Sequence, residues 1–126
     1  PYHKFAKEVR SHKEKLCRLI KEINESGKKV LAYCAFTKGN VLLQHCGFTT
    51  KDIACVAEVN EDKFGCYTPG TNIPIVSEKE AKEMKPDYFL VLPWHFREGI
   101  ITREKEYIKS GGKFIFPLPE IEIFPQ

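Results

Sequence analysis

The feature that most restricts this chain is a run with no polar position in it, Val30-Leu31-Ala32-Tyr33-Cys34-Ala35. A strand with apolar side chains on both faces must be covered on both faces, the situation of mostly parallel sheets flanked by helices. Four further runs are largely apolar, three of them with a charged residue at one end: Ile53 to Glu58, Ile73 to Val76, Asp87 to Leu92 and Lys113 to Pro117. The Pro in Ile73-Pro74-Ile75-Val76 suits an edge, because Pro cannot donate to a ladder.

The segments between these runs have helical period. Residues 3–26 form one long amphipathic stretch, with Phe5, Val9, His12, Leu16, Leu19, Ile20 and Ile23 on its apolar stripe and Gly27 as the stop. Its basic residues read as a solvated face, and His12 as a packed or boundary residue. A helix is expected from Asn40 to about Cys46, and Glu61 to Thr71 reads as a loop whose Pro69-Gly70 signals a type II turn. Ser77-Glu78-Lys79-Glu80 has the form of a capping box that opens a short helix, stopped by Lys85-Pro86. Arg97 to Ser110 reads as one helix closed by Gly111-Gly112, and 118–126 as a tail with room for a strand around 120–124. The alternation predicts an α/β fold: a three-layer, Rossmann-like domain with a mostly parallel sheet of about five strands.

Residues 1–126 are expected to form one domain with 1–27 as its leading helix, and the start at Pro1 suggests a piece of a longer chain. The net charge of +3 is spread along the chain, which gives no basic stripe for nucleic acid. No apolar run approaches the ~20 residues of a membrane span, and no signal peptide is visible. Cys17, Cys34, Cys46, Cys55 and Cys66 are odd in number, form no CxxC pair and have mostly apolar neighbours. That usage predicts free thiols in a reduced, cytoplasmic protein. His3, His12, His45 and His95 lack ligand spacing as well, so no metal is expected.

The functional signals gather where the strands end. After the first run comes Phe36-Thr37-Lys38-Gly39-Asn40, and then an apolar stretch that reads as a helix. A strand, a tight turn and a helix N-terminus offer backbone N–H groups and a positive dipole end to a phosphate, and Lys38 adds a point charge. The order is neither GxGxxG nor a Walker A loop, and an ordinary βα turn with a solvated lysine would read the same way. Glu58 ends the second run 19 residues after Gly39, close to the ~20-residue spacing at which an acid accepts from ribose hydroxyls in dinucleotide-type folds. Pro93-Trp94-His95-Phe96 follows the fourth run and carries the only Trp. His95 has no evident carboxylate partner and reads as ligand-lining or structural, not as a general base.

Five motifs occur in order: Tyr33 to Asn40, Pro69-Gly70-Thr71-Asn72-Ile73-Pro74-Ile75, Lys85-Pro86-Asp87-Tyr88, Leu92-Pro93-Trp94-His95-Phe96, and Gly111 to Pro119. Together they resemble the C-terminal domain of S-adenosylmethionine-dependent sugar C-methyltransferases, which act on nucleotide-linked deoxysugars. Cys34 stands where such proteins usually have Gly, Thr37 where they have Ala, Glu58 where they have Asp, and His95 where many have Asn. The resemblance implies a three-part parent enzyme, in which a zinc-binding module and a methyltransferase domain holding S-adenosylmethionine precede this part. It implies no cofactor and no catalytic residue in this domain, which would be inactive alone. Its partners would be a nucleotide-sugar substrate and the methyltransferase domain of the same chain, with no nucleic acid and no membrane. The expected substrate-binding residues are Lys38, Gly39, Asn40, Glu58, Trp94, His95 and Phe96. A non-catalytic nucleotide-binding or structural module is the alternative reading.

Overall fold

The computed structural model describes residues 2–34, 37–58, 61–68, 70–117 and 121–125, with the side chains of 2–9 and 37–41 outside the description. Helix α1 (Tyr2–Glu25) buries Leu16, Ile20 and Ile23. It ends as expected: Gly27 takes φ +84°, and the Lys28 amide donates back to the Ile23 carbonyl at 3.2 Å. The left-handed residue lets the chain reverse while satisfying the last carbonyls. His12 lies on the boundary, with Nε2 2.5 Å from the Pro117 carbonyl oxygen.

Then follow β1 (Val30–Tyr33), α2 (Thr37–Cys46), β2 (Val56–Glu58), a 3-10 turn (Glu61–Lys63), β3 (Ile75–Ser77), α3 (Glu78–Glu83) and β4 (Tyr88–Val91). A second 3-10 turn (Trp94–Phe96), α4 (Arg97–Arg103), α5 (Lys105–Lys109), β5 (Lys113–Phe116) and β6 (Glu122–Phe124) complete the chain. Ser77 caps α3, its hydroxyl accepting from the Glu80 amide at 3.1 Å.

The strands form a single sheet in the order β3-β2-β1-β4-β5-β6. The first five are parallel, and β6 runs antiparallel to β5. The sheet therefore has six strands, not about five. The sixth is three residues long, and its place depends on a partner distant in sequence. The Arg97 guanidinium meets the Glu122 carboxylate through Nε and Nη2, each at 2.8 Å. It also lies 5.4 Å from the Phe116 ring centroid and 5.3 Å from that of Phe124.

The two-sided burial expected of the first run is present. Val30, Ala32, Val56, Leu90 and Ile115 pack with Leu16 and Ile20 of α1 and Leu42 and Leu43 of α2. Leu31, Tyr33, Ala57, Phe89, Val91, Phe114 and Phe116 face the other way, toward Ala81 of α3, Ile100 of α4 and Tyr107 of α5. Phe89 is the centre of an aromatic cluster there, 5.6 Å from Tyr33, 5.0 Å from Tyr107 and 6.1 Å from Phe114 by ring centroids.

Two helix boundaries differ from the expectation. Helix α2 starts at Thr37 rather than Asn40, so Lys38 and Gly39 belong to its first turn. The stretch from Arg97 to Ser110 is broken at Glu104, which takes φ −104° and ψ 30°. The Glu104 carboxylate is only 5% exposed and accepts from Lys82 Nζ at 2.9 Å. A buried charge needs such a partner, and that need overrides helical continuity.

Gly112 leads into β5, and a Cβ built on it would stand 2.2 Å from the Tyr107 ring. That ring is held by its hydroxyl, which donates to the Pro86 carbonyl at 3.0 Å, and by Phe89 and Phe114. We expect Gly112→Ala to cost about 1–3 kcal/mol, the range for overpacking. Urea unfolding measures it, and an unchanged midpoint would contradict this packing.

Candidate functional site

Five parallel strands deliver Tyr33, Glu58, Ser77, Val91 and Phe116 to one edge of the sheet. The connections leaving β1 and β4, neighbours in the sheet but not in the chain, open a crevice there, the usual ligand position in open α/β sheets. Cys34 sits at its floor with φ +69°, a left-handed conformation that favours glycine. The ladder holds it there, its amide donating to the Ala57 carbonyl at 2.7 Å. Its Sγ lies 3.9 Å from Oε2 of Glu58, a carboxylate only 4% exposed. Burial, and then the Glu58 charge, push the Cys34 thiol above its usual pKa.

The anticipated residues fall around this point in different ways. Lys38, Gly39 and Asn40 form the first turn of α2, which begins three residues after Cys34. Their side chains, and Ala35 and Phe36, lie outside the described residues. The first amides of a helix have no intrahelical acceptor, so this turn presents donors. Glu58 ends β2 beside Cys34, as expected. Trp94, His95 and Phe96 form the 3-10 turn after β4 but divide their contacts. Trp94 packs against the α1–α2 core, whereas Phe96 is 61% exposed and lines a cavity on the opposite side. His95 is exposed, its ring centroid 4.3 Å from that of Phe96.

That cavity, of about 300 Å³, is bounded by Tyr33, Cys34, Pro93, Phe96, Gly99, Ile100 and Arg103. Gly99 and Arg103 were not among the anticipated residues. Their signal is the step from Phe96 to Gly99 to Arg103, three and then four residues, which sets an aromatic ring, a gap and a cation on one stripe of a helix. Arg103 Nη2 pairs with Glu78 Oε2 at 2.7 Å. Tyr33 donates toward Glu104 at 3.5 Å, and its burial, with the Glu104 charge added, pushes the phenol far above its ordinary pKa. Tyr33 is thus a neutral donor at any physiological pH.

A larger cavity, of about 410 Å³, lies at the opposite, amino edge between Lys82, Lys85, Asp87, Tyr107 and Gly111. Asp87 and Tyr107 there are engaged in closing the fold. Asp87 Oδ2 accepts from the Lys29 amide at 2.8 Å, and its carbonyl accepts from the Lys113 amide at 3.1 Å. Volume alone therefore does not make it the functional site. Among the described residues no group of three His, Cys, Asp or Glu is placed to hold a metal ion, and all five cysteines are free. No helix among the described residues is long and apolar enough to cross a membrane.

Residues 1–119 match the family described as the C-methyltransferase C-terminal domain, and the chain belongs to that family. One relative is the C-methyltransferase NovU of Streptomyces niveus, 37% identical over 119 residues. The matched stretch is 94% of this chain but 28% of that protein, so the chain spans well under two thirds of its relative.

A raised thiol pKa leaves little thiolate, the reactive form, near neutrality. We expect Cys34 to alkylate more slowly than exposed Cys66 at pH 7.5, its rate climbing as pH rises. Glu58→Gln removes a negative charge and should speed Cys34 alkylation. Mass spectrometry of iodoacetamide-treated protein reads both, and a slower Cys34 in the Gln variant would contradict the coupling.

Proposed function

We propose that this domain binds the nucleoside-diphosphate part of a sugar nucleotide at the carboxyl edge of its sheet, within a longer S-adenosylmethionine-dependent C-methyltransferase. One observation carries the reading. A helix N-terminus and a buried carboxylate meet at Cys34, with α2 beginning three residues after it and Glu58 within 3.9 Å of its sulfur. The strand order β3-β2-β1-β4-β5-β6 supports it, being the order of the doubly wound dinucleotide-binding sheets, and on that basis the domain is Rossmann-like. The family match and the relative's name support methyl transfer to carbon as the parent activity.

In this reading the first-turn amides of α2 and the Lys38 ammonium face phosphate oxygens, in charge-assisted bonds roughly twice as strong as neutral ones. Glu58 accepts from a ribose hydroxyl; its burial keeps water from competing. Phe96 and His95 stand at the rim, and Trp94 fixes the turn that carries them. This chain holds the nucleotide and contributes no catalytic group. The first turn of α2 has one glycine, Gly39, rather than a glycine-rich loop, and suits a phosphate rather than the methyl donor. S-adenosylmethionine and zinc belong to other parts of the longer enzyme, as does the grip on the sugar. The affinity of the domain alone is correspondingly weak.

Calorimetric titration with uridine diphosphate tests this. Relative to the wild type, Lys38→Ala and Glu58→Gln should each lose about 1.5–3 kcal/mol, roughly tenfold or more in affinity. Wild-type affinity in both variants would refute the assignment.

A further inference from the structure

We infer that the cavity under Phe96 receives the planar base of the nucleoside diphosphate, and that Gly99 is the residue that keeps it open. The inference rests on the carboxyl-edge reading above and adds the seat of the base. Its starting point is a glycine that the fold does not need. Gly99 lies inside α4, where glycine is among the least favourable residues. Its backbone is not left-handed, and a Cβ built on it would meet nothing within 4 Å. Gly27, Gly47, Gly65, Gly70 and Gly111 have a positive φ and Gly112 a close neighbour, whereas Gly99 has neither. Alanine would serve the helix better. What Gly99 does is line the cavity, where any larger side chain would narrow the space.

The walls decide what fits. Tyr33, Pro93, Phe96 and Ile100 offer apolar surface, and Arg103 is the one cation among the lining residues. A sugar ring placed there would leave most of its hydroxyls without partners, a costly arrangement. A heterocyclic base has two apolar faces and confines its polar atoms to its edge. Phe96 leaves 61% of its surface open, enough for a ring to stack upon. Arg103, anchored to Glu78 at 2.7 Å, holds a planar guanidinium that matches a base edge or face. Cys34 lines the cavity, lies beside Glu58 and precedes α2 by three residues. Base, ribose and phosphates thus have adjoining seats.

The test compares uridine diphosphate with inorganic pyrophosphate on the wild type, Gly99→Leu and Phe96→Ala. We expect Gly99→Leu to keep the wild-type circular dichroism and to bind uridine diphosphate at least tenfold more weakly, with pyrophosphate affinity unchanged. Phe96→Ala, a change at an exposed ring, should weaken uridine diphosphate several-fold and spare pyrophosphate, and it decides the matter if the leucine variant fails to fold. Wild-type affinity for uridine diphosphate in the folded variants would overturn the base seat while leaving the carboxyl-edge reading intact. No binding of uridine diphosphate by the wild type would overturn both.

Discussion

Two-sided burial of β1 and β4 is the constraint from which the rest of the structure follows. Alternate residues of these strands enter two cores: Val30, Ala32 and Leu90 pack under α1 and α2, and Leu31, Tyr33, Phe89 and Val91 under α3, α4 and α5. Covering both faces places α2, α3 and the α4–α5 pair in the connections that flank β1 and β4, and helical crossovers make those strands parallel to their neighbours. Parallel strands end at one edge. The outcome of apolar packing is thus a rim of loops and helix N-termini, assembled before any functional side chain is chosen.

At that rim the same packing sets the electrostatics. Glu58 is a carboxylate almost closed to water, beside a thiol that its charge helps to keep protonated. Glu104 is the buried carboxylate of the other face, matched by Lys82 and by a phenol. The two acids differ in position: Glu104 lies at the joint between α4 and α5, and Glu58 at a strand end where ligands of open α/β sheets come. The amino-edge cavity is larger, but its Asp87 and Tyr107 hold strands and loops together.

What could be read from the residues was what local patterns encode. The five parallel strands follow from apolar runs, the α3 cap from Ser77, and the end of α1 from Gly27. The family follows from five short motifs, and the match over residues 1–119 bears it out. Strand β6 lies where the tail left room for a strand, around 120–124, but its place as a sixth member of the sheet was not legible, because Glu122-Ile123-Phe124 has no long apolar run and is tied to Arg97, 25 residues away. The break at Glu104 was missed because its partner Lys82 sits on another helix. Gly99 and Arg103 were missed for a related reason. A glycine and an arginine in a helical segment are unremarkable until Tyr33 and Cys34 are brought opposite them. Cys34 is a subtler case: its backbone takes φ +69°, which favours glycine, and nothing in the apolar run around it signals that turn.

The central claim is that the ligand edge is the carboxyl edge. The most direct measurement is the map of backbone amide shifts as uridine diphosphate is added to isotopically labelled protein. The account predicts shifts at Cys34, the first turn of α2, Glu58 and the Phe96–Arg103 segment, with Lys85, Asp87 and Gly111 unmoved. Shifts confined to Lys85, Asp87, Tyr107 and Gly111, around the larger cavity, would contradict it.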